Sequence, residues 1–366
     1  MVKGWATEDI LKLSFYKGVN DSLIYKIVDL YSSFDEFINA KLPPEINLIL
    51  NQGELFQSSK FKPEDEVQKQ FELCNNNNFK IISFWDDEYP KYLKHIYLPP
   101  PFIFVRGSIE SLEKDCIAIV GTRRNSSYGR IQTERFAEYF AIRDIVVVSG
   151  LAYGIDTLAH KATIKAGGKT IAVIASGLDC VSPSTMEKNG EEIVETGGCV
   201  ISTFKCGVRA LPPYFLARNR IISGLSKAVL VIESRYKGGA LNTARFALDQ
   251  NRDLYALPGN VSSETSDGTN KLIADSSAKA ALSPEFVYLD LGFKNSFNIT
   301  INDIKKVEFQ SKSEEMIYNT LSQEPLHIDE IINITELETS IVMVDLLNLE
   351  FRNLIRQSAG KQYYKL

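Results

Sequence analysis

The stretch from Tyr214 to Gly259 reads YFLARNRIISGLSKAVLVIESRYKGGALNTARFALDQNRDLYALPG, and its periodicity decides the fold. Ala228 to Ile232 is an unbroken apolar run of strand length, Ala240 to Gln250 carries apolar residues at helical spacing, and Leu254 to Leu257 returns to a strand. Two strands joined through a helix lie parallel in one sheet, and ligands of such sheets bind beyond the carboxyl ends of the strands. Glu233 to Gly239 falls there. It brings Arg235, Lys237, Gly238 and Gly239 to a helix N-terminus, where free amides, the helix dipole and side-chain cations together suit phosphate. Just upstream, Arg218, Asn219 and Arg220 offer two guanidiniums and an amide, groups with little to do in a core unless something planar or anionic meets them.

Composition sets the frame for this polyanion reading. At 366 residues, with 44% hydrophobic and 24% charged residues, the chain has room for two or three ordinary globular domains. No apolar run approaches the roughly 20 residues of a membrane span. The first thirteen residues contain Lys3, Glu8, Asp9 and Lys12, so they do not read as a secretory segment. The expectation is a cytoplasmic protein without a membrane partner. Five cysteines without a CxxC pair and three scattered histidines give no zinc spacing, and no metal or cofactor is expected. A net charge of -5 argues against indiscriminate nucleic-acid binding. Its distribution reverses the argument: from 205 to 237, seven cations (Lys205, Arg209, Arg218, Arg220, Lys227, Arg235, Lys237) face Glu233 alone.

Taken in order, residues 1 to about 60 read as short helices at Thr7 to Phe15, Asp21 to Tyr31, Phe34 to Ala40 and Pro44 to Leu50, with Lys62 to Cys74 helical after them and 1–72 as the bounds of a small helical domain. The turn Tyr16 to Asn20 resembles that of a helix-hairpin-helix module, although a small interaction or spacer domain fits as well. Strands follow at Phe79 to Ser83 and Phe102 to Arg106. Ile117 to Val120 is a strand opening into Gly121-Thr122-Arg123-Arg124-Asn125-Ser126-Ser127-Tyr128-Gly129, a strand-to-helix loop whose glycines do not fit GxGxxG. Arg123, Ser126 and Tyr128 supply instead a donor fork, a hydroxyl and an aromatic face, suited to an external phosphate with a base nearby. Asp156 and His160 lie four residues apart on the helix after GLAYGID; without a third partner they read as a structural pair. Gly168-Lys169-Thr170 fails as a Walker A loop because Thr170 opens a strand. Pro258 to Thr269 reads as a long polar loop. Residues 293–312 read as a linker, and 313–366 as three helices with a β-hairpin, the pattern of a winged helix. Its would-be recognition helix, 336–349, holds Glu336, Glu338 and Asp345 but no Lys or Arg, which disfavours the major groove and points to a protein-binding role or a vestigial one.

The core motifs IAIVGTRRNSSYG, VSGLAYGIDTLAH, TIAVIASGLD, ARNRIISGLS, KGGALNTA, LYALPG and DGTNKLI occur in an order that resembles the DNA-processing protein A family, also called DprA or Smf. The resemblance runs from about Ile82 through Leu282. It implies an α/β fold: an extended Rossmann-like, mostly parallel sheet over residues 73–292, flanked by the small helical domain and the winged helix. It also implies a non-enzyme that binds single-stranded DNA, dimerises and helps to load a RecA-type recombinase in natural transformation. By motif, the implied DNA contacts are Arg123 and Ser126, then Phe215, Arg218 and Asn219, then Lys237, Gly238, Gly239 and Thr243. Gly121, Tyr128 and Arg220 join them on the residue reading above. This chain departs from the family pattern with Leu216 in place of a proline and with Gly238 and Ala240 in place of serines.

The expected mechanism is a groove in which Arg123, Arg218 and Lys237 meet the strand backbone while Phe215 or Tyr128 offers a stacking face. The alternative is a nucleotide-binding or phosphoribohydrolase-like protein. Pro258-Gly259-Asn260-Val261 lacks the second glycine that such enzymes carry, and Gly268-Thr269 arrives late.

Overall fold

A parallel sheet covered by helices on both faces needs strands that are apolar throughout. That requirement is met here: every residue of β3 (Cys116–Val120), β4 (Val146–Ser149), β5 (Thr170–Val173), β6 (Cys199–Ser202) and β7 (Ala228–Val231) is buried. The computed structural model describes residues 4–47, 62–293 and 309–365, apart from 323, 353 and 359. The chain forms two compact units, Met1–Lys294 and Asn295–Leu366.

In the first unit, helices α1 (Thr7–Leu13), α2 (Asp21–Leu30), α3 (Phe34–Asn39) and α4 (Pro63–Asn76) precede β1 (Phe79–Ser83) and β2 (Phe102–Gly107). After β3 come α5 (Ser127–Ala141), β4, α6 (Ile155–Lys165), β5, α7 (Glu187–Glu195), β6, α8 (Pro212–Leu225), β7, α9 (Ala240–Asp249), β8 (Asp253–Ala256), α10 (Asp267–Ala274), β9 (Lys279–Ala280) and α11 (Pro284–Asp290). The nine strands lie in the order β1-β2-β6-β5-β4-β3-β7-β8-β9. Among the described residues β2 alone runs against the other strands of this sheet, antiparallel to both β1 and β6. The expected juxtaposition of Ile117–Val120 with the 228–231 strand is direct: Ile117 pairs with Ala228 and Val120 with Val231, in parallel. Strand order reverses between β3 and β7, which opens a crevice at their carboxyl ends.

Alternation along β3 divides its burial between two faces. Ala118 and Val120 join a core with Val148, Val229 and the α8 residues Ile221 and Leu225, whereas Ile117 and Ile119 face Phe136, Phe140 and Ile155. The N-terminal helices do not stand apart from the sheet: Trp5, Leu11, Ile27, Phe37 and Val67 share a core with Phe104, Ala172 and Val200. Lys205 fastens this packing, donating to the Ser14 carbonyl at 2.8 Å while its ammonium lies 3.6 Å from the Phe15 ring centroid. Burial pulls its pKa down to about 8. The turn expected at Tyr16 to Asn20 is present, with Gly18 at φ 86°.

Two boundaries differ from the sequence reading. The apolar segment after Arg220 is the second half of α8, which opens at Pro212 and Pro213 because proline lacks an N–H and the N–H groups of a first helical turn have no helical carbonyl to donate to. The loop after β8 is shorter than expected, since Asp267 begins α10. It is also pinned: Asn270 holds Gly259 through both its amide nitrogen and its oxygen, at 3.0 and 3.1 Å. Residues 294–308 of the expected linker and 48–50 of the expected Pro44–Leu50 helix lie outside the described residues.

The second unit is a winged helix. It contains α12 (Lys312–Thr320), β10 (Leu326–His327), α13 (Ile328–Thr335), α14 (Thr339–Phe351), β11 (Ile355–Ser358) and β12 (Gln362–Lys365), with the strands ordered β10-β12-β11. Its core is Ile317, Ile331, Val342, Leu346, Leu349 and Ile355. The two-residue strand β10 went unread because so short a strand has no period.

Candidate nucleic-acid interface

The crevice at the switch point is a cleft of about 670 Å³. Its walls are the loop after β3, the loop after β7 with the start of α9, and the exposed side of α8. The β3 loop is hung between its neighbours: Thr122 donates its amide to the Glu233 carbonyl at 2.9 Å and accepts the Ile155 amide at 3.2 Å. Gly121 is required by packing, because a Cβ there would lie 2.5 Å from Ile155 Cγ1. Gly154 takes φ 81°, where a Cβ would meet the Thr122 carbonyl oxygen at 2.4 Å.

Arg123 leaves this loop exposed, with its guanidinium carbon 5.7 Å from the Phe215 ring centroid. Among the described residues neither Arg123 nor Lys237 forms an ion pair, while Arg235 is engaged by Glu264 at 3.1 Å. Phe215 and Asn219 reach the cleft from α8, and Thr243 from the first turn of α9. No side chain caps α9, and Gly239, at φ -61°, has nothing within 4 Å of the place its Cβ would occupy. The fold itself therefore does not call for glycine at 239.

Arg218 also lines the cleft, but it is only 4% exposed. Its Nη1 donates to the carbonyls of Gly150 and, at 2.7 Å, Val173, so it ties together the carboxyl ends of β4 and β5. Asp156, buried beside it, has its pKa raised because burial outweighs the attraction of the guanidinium and the donors of Ser149, Ala152 and Gly150. Burial, opposed by Asp156 and assisted by Arg123, brings Arg218 down to about 10. His160 is neutral: burial and then Arg218 push it down to about 3. Its Nδ1 lies 2.7 Å from the hydroxyl of Thr170, which in turn donates to the Val147 carbonyl. Asp156 and His160 thus do structural work, and among the described residues no cluster of three or more His, Cys, Asp or Glu could hold a metal.

Three further residues expected at the site are placed elsewhere. Arg220 donates to the carbonyls of Tyr97 and Leu98 at 2.8 and 2.7 Å and holds the Pro-rich connection against α8. Ser126 caps α5, accepting the Gly129 amide at 3.0 Å, and its own hydroxyl and amide both bind Glu233. Tyr128 donates to the Pro258 carbonyl at 2.8 Å and lines a separate depression with Ser126, Glu233 and Gly259. Arg123, Phe215, Asn219, Lys237, Gly238, Gly239 and Thr243 are thus together with Gly121 and Arg218, whereas Ser126, Tyr128 and Arg220 are not.

Glu233 is the residue that sequence reasoning passed over. It is 1% exposed, and its carboxylate accepts the Ser126 amide at 2.9 Å, the Ser126 hydroxyl at 2.5 Å and the Thr265 hydroxyl at 3.0 Å. It binds the β3 loop to the loop after β8. The signal was available: a single acid among seven cations, placed directly after a strand, has a partner to hold.

Comparison with known proteins agrees with this architecture. Residues 80–292 match the family model of DNA recombination-mediator protein A, and residues 309–361 that of the DprA winged helix domain. The DNA processing protein DprA of Streptococcus pneumoniae is 33% identical over 75% of this chain and 95% of its own length. Protein Smf of Escherichia coli is 36% identical over 70% of this chain and 67% of its own. Among solved structures, DprA from S. pneumoniae superposes with a TM-score of 0.66 at 32% identity, covering 79% of this chain and 99% of that one. DNA processing protein A from Helicobacter pylori, whose structure concerns a single-stranded DNA binding mode, gives 0.53 at 28% identity, covering 58% and 95%. Matched over more than half its length, in a sheet whose switch point carries the motif loops, the chain belongs to the DNA recombination-mediator protein A family.

Proposed function

We propose that the cleft holds the sugar-phosphate backbone of single-stranded DNA, with Arg123 and Lys237 facing phosphates and Phe215 stacking on a base. The observation that carries this reading is the pairing of two exposed cations, without carboxylate partners among the described residues, with an aromatic face and an unhindered glycine at a helix start, all at the switch point of the sheet. Asn219, Gly238 and Thr243 complete the wall, and Gly121 and Arg218 shape it. The protein acts as a mediator that protects incoming DNA and helps to load a RecA-type recombinase in transformation, working as a cytoplasmic homodimer. The naming of its relatives as DNA processing proteins and the single-strand binding of the H. pylori protein support this assignment.

The mediator works by binding and has no catalytic residue. On this reading the buried Asp156 and His160 hold the strand ends at the floor of the cleft and Glu233 clasps two loops, instead of serving as general bases. The test is fluorescence anisotropy with labelled oligo-dT and its duplex at several salt concentrations. The single strand is expected to bind tighter, with about 0.7 of log-log salt slope lost for each phosphate contact removed. Preference for duplex, or release of free base from nucleoside monophosphates by steady turnover, overturns the proposal.

A further inference from the structure

Helix α14 is apolar on both sides. Val342, Leu346 and Leu349 turn into the winged-helix core, while Met343, Val344, Leu347 and Phe351 stand on the opposite side at 56%, 58%, 52% and 76% exposure. A helix that is hydrophobic all round belongs inside something. Val344, Leu347 and Phe351, at i, i+3 and i+7, form one ridge along the helix, the shape that seats in the groove of another helix. On this helix and just before it Glu336 and Glu338 are exposed and Glu350 half-exposed, Asp345 is buried, and the cation that follows Phe351, Arg352, is paired with Glu314 at 2.8 Å. From Ile328 to Phe351 the acids are Asp329, Glu330, Glu336, Glu338, Asp345 and Glu350, with no Lys or Arg among them.

We propose that the exposed face of α14 is a docking surface for an amphipathic helix of a protein partner, with an apolar stripe flanked by lysine or arginine. The acidic surround selects among the possible occupants. Nucleic-acid phosphate and anionic lipid headgroups are repelled by it. A second copy of α14 would bring the same acids into opposition. A basic amphipathic helix satisfies both the ridge and the charge, and this mode of recognition reads anchors at i, i+3 and i+7. None of these residues is among those that line the DNA cleft.

The test uses the full chain and a labelled synthetic peptide of about 16 leucines and lysines with the leucines in one helical stripe, beside a scrambled peptide of equal composition. The striped peptide is expected to bind at least about tenfold more tightly than the scrambled one, and Leu347→Ser with Phe351→Ser to abolish that margin. Because both side chains are exposed, the thermal melt of the double variant stays at the wild-type position. Glu336→Lys with Glu338→Lys weakens the striped peptide and flattens its salt dependence. Equal binding of the two peptides, or no effect of the double serine variant, overturns the proposal. So does a wild-type oligomer that the double variant disperses, since that outcome gives the face to a second copy. Oligo-dT binding in the same samples is expected to be unchanged, which separates failure here from failure of the DNA reading.

Discussion

Arg123 and Arg218 flank one ring, their guanidinium carbons 5.7 and 6.0 Å from the centroid of Phe215, yet they belong to different parts of the molecule's energetics. Arg123 is exposed and unpaired among the described residues; Arg218 is buried, bound to two backbone carbonyls and set beside Asp156. The same side chain is thus exposed at the cleft in one place and committed to backbone carbonyls in the other. An arginine in a basic stretch signals demand for acceptors, and strand-end carbonyls meet that demand as well as phosphates do. The first consequence is that the two should separate in opposite assays.

The largest effect is expected from Arg218→Ala. It leaves Asp156 buried without its cation and two strand-end carbonyls without a donor, a loss of about 3 to 5 kcal/mol. Urea unfolding measures it, and Arg218→Lys, which keeps the charge but not the fork, should fall between. A loss below about 1 kcal/mol would show that Arg218 is not the strut described here.

Acid should reach the same buried region next. The folded-state pKa of His160 lies at about 3 against an ordinary 6.5, so the unfolded chain takes the proton first. Stability from this group is complete above pH 6.5 and is lost as pH falls toward 3, about 3 kcal/mol by pH 4. Asp156 works the other way: its raised pKa favours the folded state as pH falls through it. The difference between wild type and His160→Gln isolates the histidine. If their unfolding midpoints keep a constant separation from pH 7 to about 4, the histidine is not held neutral.

Arg123→Ala inverts the pattern of Arg218. Stability should stay within about 0.5 kcal/mol of wild type, since no bond within the described fold is lost. Affinity for oligo-dT should fall about tenfold, with a salt slope smaller by about 0.7. A variant that unfolds more easily yet binds as before would exchange the roles of the two arginines.

What the sequence disclosed follows the same division. Strands were legible because burial on both faces makes them continuous apolar runs, and the switch point followed from where the loops fall between them. The helix of Pro212–Leu225 was half missed because only its second half, Ile221–Leu225, is a clear apolar segment. Among site residues, type was legible and commitment was not. Arg220 and Ser126 look like donors for a ligand, but carbonyls some 120 residues away and the carboxylate of Glu233 claim them, and such pairings have no local pattern. Glu233 itself was counted as a charge rather than read as a clasp.

Gly239 gives the smallest expected effect and the cleanest separation of fold from function. Glycines around the cleft are kept for different reasons: at Gly121 and Gly154 a methyl group would strike Ile155 or the Thr122 carbonyl, so alanine there damages the fold before it reports on any ligand. At Gly239 the backbone is already in the helical region, at φ -61°, and the space beside it is open. Alanine is then expected to leave stability unchanged or raise it by up to about 1 kcal/mol, through the entropy of the unfolded chain. If a phosphate approaches the start of α9, the same methyl group obstructs it, and oligo-dT affinity should fall several-fold with little change in salt slope, because no charge is removed. Anisotropy and urea unfolding on the one variant decide the matter. Unchanged affinity in a protein of unchanged stability would move the phosphate away from Gly239 and leave Arg123 and Phe215 as the centre of the cleft.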